Sequence, residues 1–321
     1  MTDTTQASGE AATDDGANKI GTFAPFDEFD PTLSNARAIG IDAGATLTKL
    51  CVRRSDDSLY FASFASRRNQ TAATSDLAER VLALLEQFSP DRVGLTGCGA
   101  ADLAPKLNRP MTTPIEFDAW GIGANEMLSR LGLAAESPYL LVAIGTGTSA
   151  LHVDGDQVER LGGTALGGGA ALGLGLALTG VRTPEELNAL ALRGARQNVD
   201  LMVTDLFEDA ADVGAIIAAS FGKLARLATE DPEGFTPPNK EDLAAAALGI
   251  VSDNIGLIAT AHARGADVSR IVYGGSTLLV HPQIADVMRG FGLIMGHETV
   301  ILPQGGHTGS LGALLLAERS A

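Results

Sequence analysis

The stretch ARAIGIDAGATLTKLCVRR, residues 36–54, decides the fold. It runs from apolar residues through a glycine turn into an alternating segment that ends in charge, which predicts strand, hairpin, strand. The pattern returns after roughly a hundred residues, where the apolar run YLLVA leads into Ile144-Gly145-Thr146-Gly147-Thr148-Ser149 and then into ALHVDGDQVERL. Short fixed-period repeats mean solenoids, whereas one duplication at domain scale predicts two like-folded lobes facing one another, with ligand in the cleft between them. In the second copy the pair Asp154-Gly155 signals a type I′ turn.

Working outward, SDLAERVLALLEQFSP places Leu77, Val81, Leu84, Leu85 and Phe88 on one helical face, and RVGLTG follows as a short strand. Residues 117 to 132 suit a helix. Pro237-Pro238-Asn239 introduces a long helix whose Leu243, Ala247, Val251, Ile255 and Ile258 recur every three or four residues. A strand RIVYGG, a helix from Pro282, a strand TVILP and a last helix SLGALLLAERSA complete an alternating α/β chain. Residues 1–36 carry seven acidic residues against one lysine, with apolar side chains concentrated at Phe23, Phe26 and Phe29, and read as a disordered acidic tail. The expected division is that tail, a first lobe over 37–135 and a second over 136–321.

Composition narrows the function classes. The 321 residues carry a net charge of −16 and only two cysteines. Such a charge opposes non-specific attraction to nucleic acid or anionic lipid, although a local basic pocket can still hold one nucleotide. No uninterrupted apolar stretch approaches the roughly 20 residues of a membrane span, and the first residues lack a secretory pattern, so a cytoplasmic soluble protein is expected. Cys51 and Cys98 alone supply neither a disulfide framework nor a four-thiolate metal site, and both read as small buried hydrophobes.

The motif Gly145-x-Gly147-x-x-Ala150 matches a dinucleotide fingerprint by letter, but that mechanism needs a helix N-terminus directly after the glycines. Here an alternating strand follows. Gly222-Lys223 is no Walker A motif, since Leu224 follows it and Ile217 stands where the leading glycine belongs. A hairpin tip of small residues holds phosphate differently: Gly44 and Ala45 let backbone N–H groups approach phosphate oxygens, Thr46 and Thr48 add hydroxyls, and Lys49 a point charge. Asp42, at the strand end, could hold Mg²⁺ through water. An ordinary tight turn explains the same letters. The second hairpin, with Thr146, Gly147 and Ser149, is followed by Arg160 and by seven glycines between 162 and 175. Each costs backbone entropy, so something needs bare main chain there. Gly167, Gly168 and Gly169 directly precede an apolar helix, whose first amides could receive phosphate or ribose. Glu116, among apolar residues where strand hands over to helix, is a candidate general base if burial raises its pKa; a cap or surface ion pair remains open, with Asp118 better placed as the cap. The five histidines do not pair at metal spacing, and only His307, in GGHTG, lies near a plausible site.

With these segments in order the sequence resembles the type II pantothenate kinases of the acetate and sugar kinase, heat-shock ATPase and actin superfamily. IGIDAGATLTK (39–49) is similar to the family's first phosphate motif, IEFDA (115–119) to its catalytic acidic segment, IGTGTS (144–149) to its second phosphate motif and ERLGGTALGGG (159–169) to its glycine-rich segment. AASFGK, FTPPNK, VYGGS and GSLGALLL resemble later segments, so the likeness covers Ala38 to Leu316. It implies two RNase H-like lobes with an interlobe ATP cleft, and ATP- and Mg²⁺-dependent phosphorylation of the terminal hydroxyl of pantothenate, the first step towards coenzyme A. It further implies Glu116 as the base that activates the hydroxyl and Arg160 as the charge that holds substrate and phosphoryl group. Thr146 and Ser149 then lie near pantothenate, Gly44, Thr46 and Lys49 around the triphosphate, and Gly274 and Gly275 on the adenosine side. The long helix is implied to help form a homodimer, with Ala219 and Ser220 contributing to substrate binding at its interface, and coenzyme A or an acyl-CoA is a conceivable feedback ligand. Ala45 stands where the family usually has glycine, which requires a negative φ there. Three other readings compete: an amino sugar kinase of the same superfamily, a nucleotide-binding regulatory protein without catalysis, and an activator ATPase carrying an iron–sulfur cluster, which would need paired cysteines.

Overall fold

The computed structural model describes residues 14–30, 33–66, 75–134, 137–207, 216–230 and 232–320. Helix α1 (Asp14–Ile20) and strand β1 (Thr22–Phe23) lead into β2 (Ala38–Ala43), β3 (Leu47–Arg53), β4 (Leu59–Ala65), α2 (Ser75–Phe88), β5 (Arg92–Thr96), α3 (Ala100–Leu107) and α4 (Glu116–Arg130). The second half runs β6 (Tyr139–Ile144), β7 (Thr148–Asp154), β8 (Gln157–Thr164), α5 (Gly168–Thr179), α6 (Pro184–Ala191), β9 (Leu201–Met202), β10 (Ile217–Ala219) and α7 (Gly222–Glu230). It continues through α8 (Lys240–Gly265), β11 (Arg270–Gly274), α9 (Thr277–Val280), α10 (Pro282–Met295), β12 (Glu298–Ile301) and α11 (Thr308–Arg319).

The duplication inferred from the two glycine turns extends to sheet topology. In the first sheet β2, β3 and β4 form an antiparallel meander and β5 joins β2 in parallel. In the second, β6, β7 and β8 form the same meander and β11 joins β6 in parallel. β2 and β6, each paired on both sides, are interior strands and are buried along their whole length, as continuous apolar runs covered on both faces must be. The β7–β8 turn departs from expectation. Asp154 pairs with Gln157, so Gly155 and Asp156 are the central residues, and only Gly155 has a positive φ, which fits a type II′ rather than a type I′ turn.

Helices α2 and α3 cover the outer face of the first sheet, while α5, α8 and α10 cover that of the second. Between the sheets lie α4 and α11, whose Met127, Leu128, Leu311 and Leu314 share one core with Ala38 and Phe61 of the first sheet and Leu141 and Val272 of the second. The division at residue 136 is therefore corrected: the chain returns at its end, and α11 packs mainly on α4, β2 and β5. Helix α8 is the one helix among the described residues long and apolar enough to cross a membrane. Its Val251, Ile255 and Ala259 instead pack inside the second lobe against α5, α6 and α10, so the apolar stripe expected to support a dimer is used within the fold.

The reading of residues 1–36 as a disordered tail is also corrected, apart from 1–13 and 31–32, which lie outside the described residues. Ile20 is fully buried, β1 extends the first sheet beside β4, and the Phe23 ring stacks on Phe61 at 4.5 Å. The acidic composition hides apolar anchors, Ile20, Phe23, Phe29 and Leu33 among them, that dock the segment. Ile20→Ala is expected to cost about 2–5 kcal/mol of stability, read by chemical denaturation; an unchanged midpoint would show that the segment contributes nothing.

Candidate functional site

Both glycine hairpins open on one cleft of about 500 Å³ between the lobes. In the first, cross-strand register sets Asp42 beside Lys49, and the ammonium lies 3.5 Å from Asp42 Oδ2. Asp42 Oδ1 is buried and has no hydrogen-bond partner among the described residues. The Gly44 amide donates to the Leu47 carbonyl at 3.1 Å and closes the tip, where a β-carbon at Gly44 would meet that carbonyl oxygen at 2.7 Å. Ala45 has no positive φ, so the departure from glycine is sterically free. In the second hairpin the Gly145 amide donates to Gly147 O at 2.8 Å. This leaves the amides of Ala45, Thr46, Thr146 and Gly147 without a carbonyl partner among the described residues. The two tips meet directly, the hydroxyls of Thr46 and Thr146 lying 3.0 Å apart.

Glu116 is the first residue of α4 and lines this cleft; no strand leads into it as expected, but a loop from α3 whose Thr112 makes one isolated bridge to Gly94. Ile115 holds the cap position without a side-chain bond, and Asp118 lies in the first turn, so neither acidic residue is the cap. Burial, then the charge of Asp42, raise the Glu116 pKa above the ordinary carboxylate range, and Lys49 opposes them. Across the cleft Arg160 of β8 has no carboxylate partner among the described residues and stands 5.6 Å from the centre of the Phe117 ring. Phe117 in turn meets Trp120 edge-on.

Of the residues expected from sequence, Asp42, Gly44, Ala45, Thr46, Lys49, Glu116, Thr146, Gly147, Ser149, Arg160, Gly168 and Gly169 line the cleft. Others lie outside it or are engaged within the fold. Thr48 is buried and hydrogen-bonds Ser66 Oγ at 3.0 Å, so it offers no hydroxyl to phosphate. The amides of Gly168 and Gly169 are already given to the carbonyls of Gly145 and Thr146, at 2.8 and 3.0 Å, so this helix start braces the second hairpin rather than receiving an anion. Gly167 lets the two segments touch, since a β-carbon there would sit 2.7 Å from Thr146 O. Gly274 and Gly275 lie behind the cleft wall, Gly275 with φ +108° against the backbone of Ile144. The neighbouring residues Ser276, Thr277, Val280 and His281 line the cleft instead. Ala219 and Ser220 are not in this chain's cleft; Ala219 belongs to the small β9–β10 sheet.

Cys98 and Trp120 line the cleft and were not anticipated. Cys98 is exposed rather than buried, while Cys51 is fully buried and its thiol is pushed far up by desolvation. Their only sequence signal is position, just after a strand and one turn along from Glu116. His307 is buried between Phe61 and Phe23, and burial pushes its pKa down to about 3, which leaves it a neutral packing group.

A family model described as Fumble matches residues 124–316. The type II pantothenate kinase of Staphylococcus haemolyticus (strain JCSC1435) is 32% identical over 280 residues, which is 87% of this chain and 99% of the relative. The chain belongs to the type II pantothenate kinase family. The match spans nearly the whole relative while leaving part of this chain outside it. Two solved structures share the fold of this type II pantothenate kinase family member. The activator of the 2-hydroxyisocaproyl-CoA dehydratase from Clostridium difficile has a TM-score of 0.57 at 17% identity, covering 88% of this chain and 94% of that one. A ROK family glucokinase from Streptomyces griseus has a TM-score of 0.54 at 13% identity, covering 88% and 99%. The two-lobed architecture is therefore one that this chain shares with both of these structures.

Proposed function

We propose that this chain catalyses ATP-dependent phosphorylation of pantothenate to 4′-phosphopantothenate, the first step of coenzyme A synthesis, in the cytoplasm where ATP is available. The observation that carries the reading is one half-buried carboxylate, Glu116, facing a cleft bounded by two hairpins with free amides. Glu116 takes the proton of the terminal hydroxyl as its oxygen attacks the γ-phosphorus; the P–O bond to ADP breaks and ADP leaves with the electron pair. Arg160 supports charge on the transferring phosphoryl group, and Thr146 and Ser149 offer hydroxyls beside the alcohol. The free amides of both tips and the Lys49 ammonium hold the triphosphate.

Magnesium fits the residues present. Asp42 Oδ1 is a buried carboxylate oxygen with no partner among the described residues, and magnesium normally takes one or two protein carboxylates and keeps its waters. When bound with the nucleotide it supplies neutralisation of the triphosphate.

A homodimer belongs to the same proposal, because Ala219 and Ser220 lie outside their own cleft and would reach a substrate only across a subunit interface. Coenzyme A or an acyl-CoA, which contains the pantothenate moiety, would act as feedback ligand by competing at the substrate position. The iron–sulfur activator reading has no support from the cysteines: Cys51 is sealed in β3 and Cys98 stands alone in the cleft.

Coupled ADP release on pantothenate against a blank tests the proposal. One ADP per pantothenate is expected. Release only with a member of a sugar panel would replace the substrate, and ATP binding with no release on any alcohol would make the chain a regulatory protein.

A further inference from the structure

The wall that the second lobe gives the cleft carries a group no step above uses. Leu172 of α5, Pro184 at the start of α6 and Val280 of α9 present apolar surface, and His281 closes the wall directly after α9. This slot is tied to the phosphate hairpin by the Thr277 hydroxyl, which donates to Gly145 O at 2.8 Å. A flat heteroaromatic base next to a triphosphate suits such a setting.

His281 is 1% exposed. Its Nδ1 is buried without a partner among the described residues, and His281 lines the cleft, so Nε2, which has no hydrogen bond there either, is the ring nitrogen left to meet the cleft. Buried polar groups in native proteins are satisfied with few exceptions, and each exception calls for a reason. Burial also depresses the imidazole pKa, with Glu185 opposing, so the ring is neutral and carries one N–H and one bare nitrogen. Orphaned buried N–H groups are rarer than orphaned acceptors. The proton therefore belongs on Nε2, where the cleft can supply an acceptor.

We infer that His281 reads the nucleobase of the phosphoryl donor, its Nε2–H donating to an unprotonated ring nitrogen of a purine. The inference rests on ATP being that donor. N1 and N7 of adenine share the needed chemistry: guanine carries a proton on N1 but not on N7, and a 7-deaza purine lacks the N7 acceptor.

The test is calorimetric binding to the full chain without pantothenate, using ATP, GTP, 7-deaza-ATP and inorganic tripolyphosphate. His281→Phe is expected to weaken ATP about tenfold and to leave tripolyphosphate, which has no base, unchanged. His281→Gln keeps an N–H donor and should recover most of the loss; if Phe crowds the slot, the smaller His281→Leu gives the same reading. A loss already present in wild type with 7-deaza-ATP assigns N7, and one present with GTP assigns N1. ATP affinity untouched by His281→Phe and His281→Leu, or an equal loss for tripolyphosphate, overturns the inference alone. A wild-type chain that binds no ATP overturns the donor reading with it.

Discussion

Glu116→Gln is expected to lower kcat by about 10² or more while ATP affinity stays within roughly twofold. Glutamine keeps the size and hydrogen-bonding reach of the side chain but cannot accept the substrate proton. The pH profile gives an independent reading. Burial and the neighbouring Asp42 raise the Glu116 pKa, and a general base acts only when deprotonated. The wild-type rate should therefore fall as pH drops through a value above the ordinary carboxylate range, and that acid limb should vanish in the glutamine variant. Lys49 is the one neighbour that lowers this pKa, so Lys49→Met should move the limb to higher pH. Full activity in Glu116→Gln would remove the residue from the chemistry, and an unmoved limb would assign the titration to another group.

Much of this site could be read before any coordinates, and the gaps have identifiable physical causes. The hairpin tips were legible because glycine, alternation and flanking apolar runs are local signals. Thr48 is set by the same alternation against a phosphate role: on β3 it shares a face with Leu50 and Val52, which are core, whereas Lys49 faces the cleft. Gly168 and Gly169 failed for a different reason. Their amides are consumed by carbonyls more than twenty residues earlier, a pairing no local pattern carries. His281 carries no sequence signal, because a lone histidine among Leu, Val and Pro reads as packing. Composition misled at the N-terminus, where the acidic average concealed Ile20 and Phe23.

The return of α11 to the layer between the sheets had no local signal except glycines, and these set the second large effect. A β-carbon at Gly40 or Gly94 would run into the carbonyl oxygen of Ser310 or Ala313 of α11. One at Gly123 would run into Thr308 O, and one at Gly312 into Ala119 O of α4. Helix and neighbours thus meet backbone to backbone on three sides, and backbone has no rotamer by which to yield. Gly312→Ala is expected to destabilise by about 3 kcal/mol or more, a large part of the roughly 5–15 kcal/mol typical of a native fold. Gly173, on the exposed side of α5 with nothing near a β-carbon, provides the contrast: Gly173→Ala should leave stability unchanged or raise it by up to about 1 kcal/mol. The same helix start presses Gly309 against Trp120 and Asp42, so any Gly312→Ala protein that folds should also lose turnover, because displacing α11 moves the carboxylate proposed above to hold magnesium. Thermal melts of the two variants, with kcat on the soluble fraction, separate the cases. Equal melting temperatures would mean that α11 can slide, and that the close approach of the backbones is not what fixes the lobes.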